Sequence, residues 1–114
     1  MHAFFRKSKQ TTTRKLEEYP DMRISITRSP ASFSIKVYRG KYKVSQVYTS
    51  PYQRKFEGYY SPDENKRREF APYELIAMEV IQAEEEKLTE EYQTAFQSCK
   101  EKYPQPSIPI KAEL

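Results

Sequence analysis

Apolar and polar residues alternate one-for-one in the first half of the chain and then change to a helical spacing. Met22, Ile24 and Ile26 alternate with Arg23, Ser25 and Thr27, the period-two pattern of a strand with one buried face. After a Ser29-Pro30 turn, Phe33, Ile35 and Val37 alternate with Ser34, Lys36 and Tyr38. Arg39-Gly40 reads as a two-residue hairpin turn in which glycine supplies the positive φ, and Tyr42, Val44 and Gln46 continue on the far side. Ser50-Pro51 interrupts the run. A further strand is expected over 54–60, a turn at Ser61-Pro62-Asp63-Glu64-Asn65, and a short strand over 66–70.

From Tyr73 to Lys102 there is neither Gly nor Pro, and Pro72 suits the first position of a helix, where its missing N–H costs nothing. Apolar residues at 73, 77, 80, 81, 88, 92, 95, 96, 99 and 103 keep the spacing of one helical face. The predicted fold is α+β: a four- to five-stranded antiparallel meander within 22–70, then one long C-terminal helix over about 73–102. The single domain, 21–103, lies between two flexible arms. Residues 1–20 read as a basic arm without periodicity, and 104–114 as an extended Pro-rich tail set by Pro104, Pro106 and Pro109.

The two turns predict a register. A turn at Arg39-Gly40 places Val37 opposite Tyr42 and Ile35 opposite Val44, and closing the preceding hairpin around 28–31 places Ile24 opposite Ile35. Both hairpins then share one apolar face, which a one-residue slip would destroy. The other face gathers Arg23, Lys36 and Lys43 in one row, with Tyr38 and Lys41 beside it and Ser25, Ser34 and Ser45 in the next. Like charges directly opposite one another destabilise a sheet, so such a row favours an anionic partner. Tyr38 offers a ring on which a base can stack. Arg6, Lys7 and Lys9 of the arm can add phosphate contacts. The competing explanation is that lysine stems cover the sheet while their ammonium groups spread into water.

A helix of thirty residues spans about 45 Å, whereas five strands cover only about 24 Å. Laid across the sheet, its second half would leave Leu88, Tyr92, Phe96, Cys99 and Tyr103 uncovered. A homodimer through this stripe is one expectation, and a helix bent back near Lys87 is the intramolecular alternative.

Composition narrows the chemistry. The chain has 114 residues with a net charge of +4, but residues 1–68 carry sixteen Lys/Arg against six Asp/Glu, and residues 69–114 carry four against ten. A basic sheet and an acidic helix follow. Mean hydropathy is −0.95, yet ten Tyr and six Phe argue for a packed core. No apolar run reaches the roughly 20 residues of a membrane span. Phe4-Phe5 runs directly into Arg6-Lys7-Ser8-Lys9, so no signal peptide is expected. The single cysteine, Cys99, fits a reducing, cytoplasmic setting.

No catalytic residues are assigned and no enzyme activity is expected. His2 is the only histidine, which excludes a Ser/His/Asp set with a folded histidine and any histidine metal cluster. Gly40 and Gly58 are too far apart to form a phosphate-binding glycine loop. Glu84, Glu85 and Glu91 read as a solvated helix face rather than a metal site, so neither metal nor cofactor is expected.

Antiparallel strands followed by a helix resemble, in element order, the small single-stranded nucleic-acid binders of the Whirly type; the resemblance implies single-strand binding on a sheet. Two functional readings stay open. One is a non-enzymatic module holding single-stranded DNA or RNA on the basic sheet face and arm. The other is a small adaptor or inhibitor, such as a phage- or plasmid-type regulator of a nucleic-acid-processing complex, that docks on a larger protein.

Overall fold

A computed structural model describes residues 9–104. Five antiparallel strands form one open sheet in chain order: β1 (Gln10–Lys15), β2 (Met22–Ser29), β3 (Ser32–Arg39), β4 (Tyr42–Thr49) and β5 (Arg54–Glu57). Two helices follow, α1 (Glu64–Glu91) and α2 (Gln93–Lys102). This is the α+β meander-then-helix architecture that the alternation predicts.

Both predicted turns lie one residue further along the chain than expected. The β2–β3 loop is Pro30-Ala31, with Ser29 opposite Ser32, and the β3–β4 loop is Gly40-Lys41, with Arg39 opposite Tyr42 and Gly40 at φ 59°. Each shift changes the pairing by two residues, so the side chains of β2 and β3 keep their faces. Met22, Ile24, Ile26, Phe33, Ile35 and Val37 are all buried.

A bulge in β4 breaks the predicted alternation. Tyr38 pairs with Lys43 but Val37 pairs with Ser45, leaving Val44 as the extra residue. From there the faces exchange: Val47 enters the core at 0% exposure, while Gln46 and Tyr48 turn outward. Ser45, expected on the outer face, is buried, and its Oγ has no hydrogen-bond partner among the described residues.

The arm expected over 1–20 gives way to structure at β1. Its outward threonines meet hydroxyls of β2, Thr11 to Thr27 at 3.0 Å and Thr13 to Ser25 at 3.4 Å, and Leu16 closes the edge of the core. Hydrophobic periodicity misses this strand because both of its faces are polar; three consecutive β-branched threonines were the available signal. Arg6, Lys7 and the tail residues 105–114 lie outside the described residues.

The short strand expected over 66–70 is instead the first part of α1. The Asp63 carboxylate caps it by accepting the Asn65 N–H at 2.9 Å, and Arg68 pairs with Glu64 one turn earlier at 3.2 Å. Pro72 therefore lies inside the helix rather than at its start. Having no N–H, it leaves the Arg68 carbonyl without its helical donor. Starting eight residues before Pro72 brings Phe70 into the core at 0% exposure, stacked on Tyr59 at 4.3 Å between ring centroids.

The helix predicted as one rod is two segments. Tyr92 leaves helical geometry at φ −93°, ψ 1°, although its N–H still reaches the Leu88 carbonyl and its carbonyl still accepts from Phe96. The helices run lengthwise over β3 and β4, not across the sheet. Phe70 packs at the β3–β4 turn against Tyr42, and Tyr92 packs against Phe33 at the other end of β3. Cover by the sheet thus reaches Leu88, Tyr92 and part of Phe96, while α2 itself contributes no fully buried residue.

That placement corrects the basis for a dimer through the helix stripe. Leu88 and Tyr92 are buried within the chain, and Phe96 lies parallel to Phe33 at 6.2 Å. The Tyr92 hydroxyl donates to the Ser29 carbonyl at 2.5 Å, and burial pushes this phenol's pKa up. Cys99 is half-buried beneath Tyr52, whose hydroxyl donates to the Cys99 carbonyl at 3.2 Å and also meets the Tyr103 carbonyl. Of the five residues, only Tyr103 remains largely exposed, at 65%.

Candidate nucleic-acid interface

The cations of the sheet divide by side, and this sorting defines the site. On the helix side, four arginines each meet a carboxylate: Arg14–Glu84 at 2.6 Å, Arg28–Glu91 at 2.8 Å, Arg54–Glu85 at 2.6 Å and Arg39–Asp21 at 3.1 Å, with Glu69 3.8 Å from Arg39. Arg54 and Arg28 each make two hydrogen bonds to their carboxylates, the forked geometry for which guanidinium is suited. The bonds from Arg28 hold the Glu91 carboxyl below the usual carboxylate range. Glu84 and Glu85, neighbours in α1, reach opposite edge strands, β1 and β5. On a flat sheet those edges would stand about 19 Å apart, a span that the long Arg and Glu side chains bridge from the helix above the middle of the sheet. Glu84, Glu85 and Glu91, expected to be solvated, are instead the counter-ions of the sheet.

The outward side has a different composition. Pairing sets Lys15, Arg23, Tyr38 and Lys43 in one row across β1 to β4. The next row holds Thr13, Ser25, Lys36, Gln46 and Glu57, and the third Thr11, Thr27, Ser34, Tyr48 and Lys55. Five cations, Lys15, Arg23, Lys36, Lys43 and Lys55, share this surface with Glu57, the one acidic residue in any of the five strands.

Arg23, Lys36, Tyr38 and Lys43 are therefore brought to one face, but not in the predicted row. Tyr38 separates Arg23 from Lys43, while Lys36 lies between Ser25 and Gln46. The two-residue register shift and the bulge cause this, and they remove most of the like-charge opposition expected there. Lys15 opposite Arg23 is the directly opposed pair that remains.

The side chains differ in how far they are engaged. Arg23 donates to the Gly40 carbonyl at 2.7 Å, and its guanidinium lies 4.5 Å from the Tyr38 ring centroid. It thus fastens the β3–β4 turn and covers one face of Tyr38. Lys43 donates to the Gln46 amide oxygen at 2.7 Å, and the Gln46 amide donates to Glu57 at 3.0 Å. Lys36 and Lys15 have neither an ion pair nor a side-chain hydrogen bond among the described residues. Lys41 lies in the turn with its ammonium 5.6 Å from the Tyr42 ring, and Lys9 is exposed just ahead of β1.

Of the outward residues, sequence reasoning missed Lys55, placed Lys15 in a basic arm rather than a strand, and offered Tyr48 as an aromatic candidate without assigning its face. Lys15 belongs to the unrecognised β1. Tyr48 faces outward only because of the bulge, at 39% exposure. It lies one strand over and four residues along from Tyr38, about 14 Å away at ordinary strand spacings, with Lys36 between them.

Among the described residues no group of three His, Cys, Asp or Glu is placed to hold a metal ion, and no helix is long and apolar enough to cross a membrane. A groove of about 760 Å³ lies on the helix side between Arg54, Glu86, Glu90, Phe96 and Lys100 and is open to solvent. Comparison with models of known protein families, with curated proteins and with solved structures finds no match for this chain.

Proposed function

We propose that the outward face of the sheet binds a single-stranded nucleic acid and that the protein acts by binding, without catalysing a reaction. The observation that carries this reading is the sorting of charge. Helix-side arginines are neutralised within the molecule, while five outward cations share one carboxylate. Lys36 and Lys15 would meet phosphates directly, and Lys43 by releasing Gln46. Tyr48 and the Arg23–Tyr38 pair offer flat surfaces to unpaired bases, which a duplex keeps stacked on one another. The resemblance in element order to sheet-based single-strand binders agrees with this reading but adds no residue to it.

Docking on a larger protein is the second reading. It rests on the other side of the molecule, where Glu79, Glu86 and Glu90 are exposed along α1.

The test is fluorescence anisotropy of a labelled single-stranded oligonucleotide over a series of salt concentrations. Each phosphate neutralised contributes a slope of about −0.7 to log K against log salt, so engagement of three to five cations gives about −2 to −3.5. A duplex of the same sequence is expected to bind more weakly. Absence of binding at low salt, or affinity independent of salt, contradicts the proposal and leaves the protein-docking reading.

A further inference from the structure

We infer that the free edge of β5 pairs with β5 of a second copy of this chain, forming a two-fold dimer with a continuous sheet. β5 is the last strand of an open sheet and, among the described residues, pairs on one side only, with β4. An uncovered strand edge presents unpaired backbone groups that template a further strand. Beside it lies apolar surface on the helix side. Phe56, opposite Val47, is 38% exposed and lines a groove with Met78, itself 49% exposed. Leu75, one helical turn from Met78, is 66% exposed.

The occupant follows from charge complementarity. A two-fold axis normal to an antiparallel sheet makes one residue face its own copy. Centring on Arg54, Lys55 or Glu57 would set like charges opposite each other. Only Phe56 gives an apolar self-pair, and it then puts Lys55 opposite the copy's Glu57 on both sides of the axis. Both side chains can be drawn into these pairs: within the chain, the Lys55 ammonium stands 4.0 Å from Glu57, the outer limit of an ion pair. The opposite sheet edge, β1, has the sequence QTTTRK and offers no apolar residue. The interface is isologous, as closed two-fold symmetry requires. It keeps both cationic faces on the same side, and it does not depend on what those faces bind.

Four strand residues and the adjacent helix turn make a small contact, so the association is concentration-dependent. Sedimentation of the full chain over a concentration series is expected to show an average mass rising from 13.6 kDa towards twice that value. Lys55→Glu and Glu57→Lys each convert both ion pairs to repulsion and should weaken association at least about tenfold. Mixing the two variants in equal amounts restores opposite charges and should restore the dimer as a heterodimer, which also shows that both variants are folded. A mass of 13.6 kDa up to the solubility limit overturns the inference. So does a dimer that neither substitution weakens, or a mixture of the two variants that stays monomeric.

Discussion

Replacing Phe70 by alanine is expected to destabilise the fold by about 3–5 kcal/mol. The ring is fully buried, lies parallel to Tyr59 at 4.3 Å, meets Tyr42 and Tyr73 edge-on and has the Arg39 guanidinium 5.5 Å from its centroid. Its loss leaves a cavity that these neighbours cannot fill together, because Tyr59 and Tyr42 are on different segments and Arg39 is held by Asp21. Domains of this kind have total stabilities of about 5–15 kcal/mol, so the variant should unfold at markedly lower urea. Far-UV circular dichroism during urea unfolding reads the difference. Phe56→Ala, at an exposed position, is the control and should cost far less. A Phe70→Ala loss below about 1 kcal/mol would contradict the placement of Phe70 in the core.

Reversing two outward charges, Lys36→Glu with Lys43→Glu, should reduce affinity for a single-stranded oligonucleotide about 100-fold or more, since four units of charge change on the binding face. Neither side chain enters the core, and Lys43 makes only its bond to Gln46, so thermal unfolding should be nearly unchanged. Arg23 is less suitable for this purpose: its bond to the Gly40 carbonyl fastens the β3–β4 turn, and reversing it would confound binding with stability. The matched control, Lys100→Glu with Lys102→Glu on α2, should leave affinity unchanged. Equal losses from both pairs would mean that net charge alone governs binding.

The two hairpins and the side on which Arg23, Lys36, Tyr38 and Lys43 lie were legible in the sequence because strand facing has a period of two. Moving each turn by one residue changes partners by two and leaves the faces alone, so the face was robust although the pairings were not. The β4 bulge was not legible. Nothing in Tyr42-Lys43-Val44-Ser45-Gln46 announces an extra residue, and its effect is tertiary: it brings Val47 inward in exchange for Gln46 and Tyr48. The start of α1 was not legible either, because the Asp63 cap lies within a Ser-Pro-Asp-Glu-Asn segment that reads as a turn, and Pro72 suits a first helical position. A capped helix with Phe70 in the core tolerates one missing hydrogen bond.

The sorting of arginine from lysine, Arg23 excepted, was equally hidden. In sequence, Arg14, Arg28, Arg39 and Arg54 look like Lys15, Lys36, Lys43 and Lys55, and only the register assigns them to opposite sides. Guanidinium then suits the helix side, where two hydrogen bonds to one carboxylate fit its fork, whereas ammonium groups suit a surface facing water. The acidic half of the chain is therefore not simply a solvated helix. Four of its glutamates neutralise the inner face of the sheet, so the positive charge that remains is concentrated on the outer one.

Lysine acetylation with and without a saturating single-stranded oligonucleotide, read by mass spectrometry, examines that division directly. Lys15, Lys36, Lys43 and Lys55 should be protected in the complex, while Lys87, Lys100 and Lys102 on the helices keep their reactivity. Protection confined to the helix lysines, or spread evenly over both sides, would show that the outward sheet face is not where the nucleic acid lies.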